Sequence, residues 1–468
     1  MRTPLADKET RMTATLITHG TVVTVNPQRQ IIPDGAILVE DGRIARIGSA
    51  AELAGAAVET VVDASGQVVM PGLINAHTHT AYYIMRGLGM DRILLDWLQE
   101  TVWPWLTAMD EDDAFTASLL GYVECLRSGT TSLIDNQNYP TYHNHHCDAA
   151  ARAAVKSGLR VTFACGFSDI RFVSPADFID VPERIEAECR RMIRTWHGQG
   201  RLRVEVSPIN LLYCSEESIR RALKVMRDTG VGMHTHVAES KKEHQAMVER
   251  LGKGYLEAFH EMGALSDAFQ SVHSVWISDR EIELLAQAHA TVVYNPTANM
   301  LLASGIAPIT KLQAAGVNVA LGTDNPNNSN DMLEAMKFAG LLQKVGTLDP
   351  LATPAPDVLE MATIHGARAL NMQERIGSLE VGKQADLILV DMRRPHNSPM
   401  HDPVAALVYS ATGADVTHVM VEGEFLLREG QVTFLDEGGL IAEGQRRADA
   451  CAERVQAARR VAEERNDR

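Results

Sequence analysis

Twice in this chain two histidines stand two residues apart at the end of an apolar run. His77 and His79 lie in PGLINAHTHT (residues 71–80), and His234 and His236 lie in VGMHTHVAES (residues 231–240). On a strand, side chains i and i+2 project to the same side, so the two rings of a pair face one way. Neutral imidazoles gathered on one face are good ligands for zinc or ferrous iron. The bland alternative is surface histidines, and the apolar residues before His77 argue against it. Glu239 follows His236 by three residues. A carboxylate there can reach over a bound substrate and carry a proton from the attacking water to the leaving group. Asp324 ends the apolar run VALGTD and opens the loop NPNNSND. It can ligate a cation and take a proton from the water that the cation activates. His273 closes the run QSVH, and its place at a strand end favours function over packing. For His234 the sequence leaves a core role, a role behind the ligands and a functional role all open. The asparagines after Asp324 also fit plain turn formation.

These residues need a scaffold that brings distant strand ends together. Between about Val68 and Leu370, eight short apolar runs alternate with helical stretches: VVMPGLINAH, TTSLIDN, RVTFACG, LRVEVSP, VGMHTHV, SVHSVW, TVVYNP and VNVALGTDN. That alternation predicts a parallel (β/α)₈ barrel, with chemistry at the C-terminal ends of its strands. Both chain ends have another texture. Short β-rich runs broken by Asn26-Pro27, Pro33-Asp34-Gly35 and Asp41-Gly42 fill residues 13–67, and similar runs return in residues 371–436. The two pieces are expected to pair into one small β-domain beside a barrel of residues 68–370. Residues 1–12 read as a polar tail. Residues 437–468, rich in Ala, Glu and Arg, read as a long helix packed on the barrel or on a partner subunit.

The 468 residues are 45% hydrophobic and 22% charged, with a formal net charge of -16. No basic excess is available to neutralise phosphates, so neither nucleic acid nor an anionic membrane is expected as a partner. None of the six cysteines forms a C-x-x-C pair, which removes zinc ribbons and redox motifs and fits reduced thiols in the cytoplasm. The first residues, MRTPLADKETRM, lack the apolar stretch of a signal peptide, and no segment is apolar for long enough to span a bilayer. A cytoplasmic homo-oligomer, dimer or tetramer, is expected.

Taken together, PGLINAHTH, H-x-x-E at His236 and Glu239, a strand-end His273, GTD ending at Asp324, and EMATIHGARALNM followed by IGSLEVGKQADLILVD resemble the amidohydrolase superfamily over nearly the whole chain. The resemblance implies a distorted barrel with a composite β-sandwich. It also implies a metal held by His77, His79, His236 and Asp324, Glu239 as proton shuttle, and His273 positioning substrate and helping to activate water. Two-metal members carry a bridging lysine on the fourth strand. LRVEVSP (residues 202–208) has none, so the chain is similar to the one-metal branch, with Glu205 as the one residue there able to disturb that reading. One divalent ion is expected, zinc first, with Fe²⁺, Mn²⁺ or Co²⁺ also compatible.

Within that branch the chain resembles S-adenosylhomocysteine and nucleobase deaminases, atrazine chlorohydrolase, and phenylurea and thiocarbamate hydrolases. YNPTANMLLASGIAPI from Tyr294 looks like the deaminases, whereas Asn325 directly after Asp324 looks like atrazine chlorohydrolase. The expectation taken from that loop is displacement at an sp² carbon bonded to nitrogen in a neutral, largely apolar urea, thiocarbamate or s-triazine. The alternative is an aminohydrolase of purines, pterins or nucleosides, and a non-catalytic metal-binding scaffold is the alternative of another class. The substrate pocket is expected to use Tyr82, Tyr83, Met85, Leu88 and Trp97, residues 135–139 around Asn136, and Asn325 and Asn328. Met85 and Trp97 fit the core equally well.

Overall fold

The computed structural model describes residues 14–139, 144–324 and 329–466. Asn325, Asn328 and the N-terminal tail lie outside them. The eight apolar runs form eight parallel strands in chain order: β1 (Leu73–Thr78), β2 (Thr130–Gln137), β3 (Arg160–Phe167), β4 (Arg203–Pro208), β5 (Met233–Val237), β6 (Phe269–His273), β7 (Thr291–Tyr294) and β8 (Asn318–Leu321). Each strand pairs with its sequence neighbours. Strands covered on both faces read as continuous apolar runs rather than alternating ones, and those of β1 and β2 are buried along their whole length. The barrel nearly closes at its C-terminal end, where Thr78 bridges to Asp324 and the Thr323 and Asp324 amides donate to the His77 carbonyl at 3.0 and 2.9 Å. Strand closure therefore sets the first histidine pair against the Asp324 loop.

The run VVMPGLINAH, read as one barrel strand, divides at Gly72. Residues Gln67–Pro71 belong to the other sheet, pairing with Ala14–Val23 and Leu387–Asp391. A Cβ on Gly72 would lie 2.1 Å from the Thr131 side chain, so only glycine lets the chain pass from one sheet to the other there. The second sheet has nine strands, five from before the barrel and four from after it, in mixed orientation. Apolar residues from both sources, among them Ile37, Val62, Leu387 and Met420, share one core. An isolated bridge joins Arg43, on the edge strand Arg43–Ser49, to Gln384, which precedes the central strand Leu387–Asp391.

The terminal helix, Glu437–Asn466, lies against the helices Trp103–Ala108 and Glu111–Arg127. Cys451 is buried there, and Arg447 reaches Asp112 at 2.8 Å. All six cysteines are free thiols. Among the described residues no helix is long and apolar enough to cross a membrane.

Candidate metal centre

The C-terminal ends of four strands supply the site. His77 is the penultimate residue of β1, and His79 follows the strand. His236 lies in β5, with Glu239 just beyond it. His273 ends β6, and Asp324 follows β8. His273 and Asp324 both have φ near +68°, a left-handed conformation that is uncommon for residues other than glycine and that marks functional turns. Gly322 clears the way beside them. A Cβ there would meet Asn295 Oδ1 at 2.4 Å and His77 Cβ at 2.9 Å.

The side chains converge. His77, His236, His273 and Asp324 offer ligand atoms that all lie within 4.8 Å of one another. His79 joins them, its Nε2 lying 3.3 Å from Asp324 Oδ1 and 3.4 Å from His236 Nε2. Hydrogen bonds behind the rings settle which nitrogen carries the proton. His79 Nδ1 donates to the Asn136 carbonyl at 2.8 Å, and His236 Nδ1 donates to the Ile209 carbonyl at 3.2 Å. A carbonyl only accepts, so each Nδ1 is protonated and each Nε2 presents a lone pair to the centre. His77 is oriented the same way, with Nδ1 on His234 Nε2 at 2.8 Å and Nε2 buried without a hydrogen-bond partner, 3.3 Å from Asp324 Oδ1. Burial pushes His77 and His236 well below the usual imidazole range, which keeps them neutral. Burial opposes the charge on Asp324 too, but the imidazoles of His77, His79 and His273 beside it more than offset that and hold the carboxylate well below its usual range. Three lone pairs and a carboxylate facing one another repel unless a cation lies between them, so this donor set fits a divalent metal ion.

Glu239 and His273 stand beside that set. Glu239 is 5% exposed, its Oε1 has no hydrogen-bond partner, and its Oε2 is 3.5 Å from His273 Nε2. Burial, reinforced by the charges of Glu243 and Asp324, raises its pKa well above the ordinary carboxylate value. His273 is held by Asn299, whose Oδ1 accepts from Nδ1 at 2.9 Å. Asn299 lies in the helix Pro296–Leu301, inside the YNPTANM segment. Its spacing from His273 gave no sign of that contact.

Of the residues expected to line it, Tyr82, Trp97, Asn136 and Asn138 border the pocket over the centre. Tyr82 stacks on His79 with ring centroids 4.8 Å apart. Other expected residues turn away. Met85 is buried in the core beside the Trp105 cluster, and Leu88 lines a groove under the terminal helix. Tyr83 bonds Glu124 and Asn330. Asp135 and Gln137 bond each other and Thr80, and Tyr139 is packed in the core. Strand alternation sends Asn136 inward and its neighbours outward. The sequence reading missed Trp103, Asn210, Tyr213 and Glu243, which also line the pocket. Glu205, the candidate bridging residue, is not in the ligand group. It lies on β4 bonded to Gln270 at 3.1 Å.

A model of the amidohydrolase family matches residues 68–426. The chain belongs to the amidohydrolase family. It is 38% identical over 444 residues to a 5'-deoxyadenosine deaminase of Methanosarcina mazei, covering 94% of this chain and 99% of that one. To a 5-methylthioadenosine/S-adenosylhomocysteine deaminase of Moorella thermoacetica it is 38% identical, covering 92% and 98%. A solved adenosine deaminase from Xanthomonas campestris with bound zinc superposes with a TM-score of 0.88 at 29% identity, covering 94% and 98%. Atrazine chlorohydrolase from Arthrobacter aurescens, at 24% identity and a TM-score of 0.87 over 93% and 100%, shares the fold. This amidohydrolase is a metal-dependent enzyme that hydrolyses carbon–nitrogen bonds. Its relatives fit the aminohydrolase alternative better than the urea, thiocarbamate or triazine expectation. Asn325 and Asn328, the loop residues that suggested the latter, lie outside the described residues.

Proposed function

We propose that this amidohydrolase deaminates purine nucleosides that carry no phosphate, with adenosines altered at the 5' position as the substrate class. The observation that carries the reading is Glu239, a buried carboxyl group with an oxygen free of partners, set beside the histidine cluster in a pocket walled by Tyr82, Trp97 and Trp103. Among the described residues the pocket lining holds Glu239, Glu243 and Asp324 and no lysine or arginine. A nucleotide phosphate would meet only like charge there, whereas a neutral nucleoside meets aromatic faces for its base. The names of the relatives support the same class.

His77, His79, His236 and Asp324 would hold one zinc ion, which supplies a water of lowered pKa and a Lewis acid at the attacked carbon. The chain's own residues do the rest. Asp324 takes a proton from the attacking water. Glu239, raised well above the ordinary carboxylate range by burial, donates its proton to the ring nitrogen next to that carbon, carries one from the new hydroxyl to the departing amine, and is reset by the proton that Asp324 took. His273, its Nδ1–H fixed on Asn299, presents Nε2 as an acceptor that orients the attacking water. The base exchanges its amino group for oxygen, one water is consumed and one ammonia leaves. Incubating the zinc-loaded enzyme with 5'-deoxyadenosine, methylthioadenosine, adenosine, adenosine monophosphate, a phenylurea and an s-triazine tests the assignment. Ammonia release from the nucleosides and none from the nucleotide is the expected pattern. Turnover of the urea or triazine with inert nucleosides would overturn it.

A further inference from the structure

Behind His77 a line of buried polar groups runs down the barrel axis, and the proposed chemistry uses none of them. His77 Nδ1 is 2.8 Å from His234 Nε2, and His234 Nδ1 is 2.7 Å from Gln270 Oε1. The Gln270 amide nitrogen donates to Glu205 Oε2 at 3.1 Å and to the Ala369 carbonyl at 2.8 Å. His77 and His234 are fully buried, and Gln270 and Glu205 are at most 5% exposed.

The protons along this line can run in only one direction. Because His77 presents its Nε2 lone pair to the centre, its Nδ1 must donate, and His234 Nε2 must accept. The Gln270 amide nitrogen is taken up by two acceptors, so its Oε1 faces His234 and can only accept, which places the His234 proton on Nδ1. Every donor faces an acceptor, and the line ends on a carboxyl group. Burial raises Glu205 to about 7, opposed by Arg203 and by its bond to Gln270. The other imidazoles at the centre donate Nδ1 to an oxygen. His77 alone among them donates to another histidine, so its orientation depends on what holds that histidine. Partners behind a ligating imidazole fix its tautomer and raise its basicity, and aligned hydrogen bonds polarise one another.

We propose that His234, Gln270 and Glu205 are positioning residues that lock His77 in its Nδ1–H form and strengthen its hold on the catalytic cation, with Glu205 anchoring the line in the barrel interior. The proposal rests on the reading of His77 as a metal ligand. It also gives Glu205 a part other than bridging a second ion.

The full-length protein, stripped by a chelator, is titrated with zinc against a chromophoric competitor, and separately with cobalt while its visible spectrum is recorded. The variants are Gln270→Leu, Glu205→Leu and Glu205→Gln, each checked by circular dichroism and metal-free melting. Gln270→Leu and Glu205→Leu are expected to bind zinc about tenfold more weakly or worse and to shift the cobalt bands. Glu205→Gln, which keeps an oxygen acceptor for Gln270, should recover most of the affinity. Leucine variants that melt lower yet keep wild-type zinc affinity and cobalt spectrum would reduce the line to a packing feature and overturn the proposal. If Gln270→Leu does not fold, the Glu205 pair decides alone. A wild-type protein that binds no zinc would refute the ligand assignment instead, a result distinct from wild-type binding that the variants leave unchanged.

Discussion

Replacing Glu239 by Gln separates proton transfer from every other property of the site. The two side chains have nearly the same shape, so the pocket and the ligands His77, His79, His236 and Asp324 stay in place. Positioned general acid–base groups contribute about 10²- to 10⁴-fold in rate, which at ~1.4 kcal/mol per tenfold is about 3–5 kcal/mol of barrier. Glu239 serves both the ring nitrogen and the leaving amine, so kcat should fall toward the upper part of that range while zinc content and KM change little. The structure also fixes a stability effect of opposite sign. Glu239 is buried, lacks a partner for Oε1, and is raised well above the ordinary carboxylate value by burial first and then by Glu243 and Asp324. An acid whose folded pKa exceeds its unfolded one costs stability as pH rises from the unfolded value toward the folded value. Each unit of that upward shift costs ~1.4 kcal/mol once pH is above it. The metal-free Gln variant should therefore melt higher than metal-free wild type at pH 7–8, with the gap closing toward pH 4. The assay is ammonia release on zinc-loaded protein alongside calorimetry of the stripped proteins across pH. A variant within threefold of wild-type kcat would refute the shuttle role. A variant that melts lower than wild type at neutral pH would refute the account of Glu239 as a strained acid.

Elemental analysis should find one divalent ion per chain, since β4 offers no lysine and Glu205 bonds Gln270. His77→Ala and Asp324→Ala should lose that ion and all turnover together, and an active, metal-free His77→Ala protein would remove the site. Asn299→Leu, which takes away the acceptor 2.9 Å from His273 Nδ1, should keep its zinc and lose about 10²-fold in kcat, and an unchanged kcat would show that His273 needs no such support. Trp103→Ala should raise KM for nucleosides about tenfold by removing an aromatic wall of the pocket, and the ratio of KM values measures it.

Much of the site was legible because strand periodicity and residue type together carry it. His77 and His79, His236 with Glu239, His273 and Asp324 each end an apolar run, and a parallel barrel leaves strand ends only one place to meet. The pairing of the chain ends was visible for a similar reason, as both carry short alternating runs with turn residues. What stayed hidden depends on contacts between elements. Asn299, in the helix after β7, meets His273 at the end of β6, while Trp103 enters the pocket from the start of the helix Trp103–Ala108 and Tyr213 from the turn after β4, along paths no spacing reveals. Residues 135–139 were read as one lining segment, yet alternation puts Asp135 and Gln137 into a network with Thr80 and leaves Asn136 for the pocket. The role of His234 was undecidable until its neighbours Gln270 and Glu205, 36 and 29 residues away in sequence, were seen beside it. The substrate reading leaned on Asn325, one residue in one loop, and the relatives fit the aminohydrolase alternative better.

The central claim is that the chain removes an amino group from a purine nucleoside with water as the nucleophile. Mass analysis of the product formed from 5'-deoxyadenosine by the zinc-loaded enzyme in heavy-oxygen water tests it most directly. The account predicts the deaminated nucleoside with one heavy oxygen on the base and one equivalent of ammonia, formed only by metal-loaded protein. Unchanged 5'-deoxyadenosine beside a hydrolysed urea or triazine, or equal conversion by the metal-free protein, would contradict it.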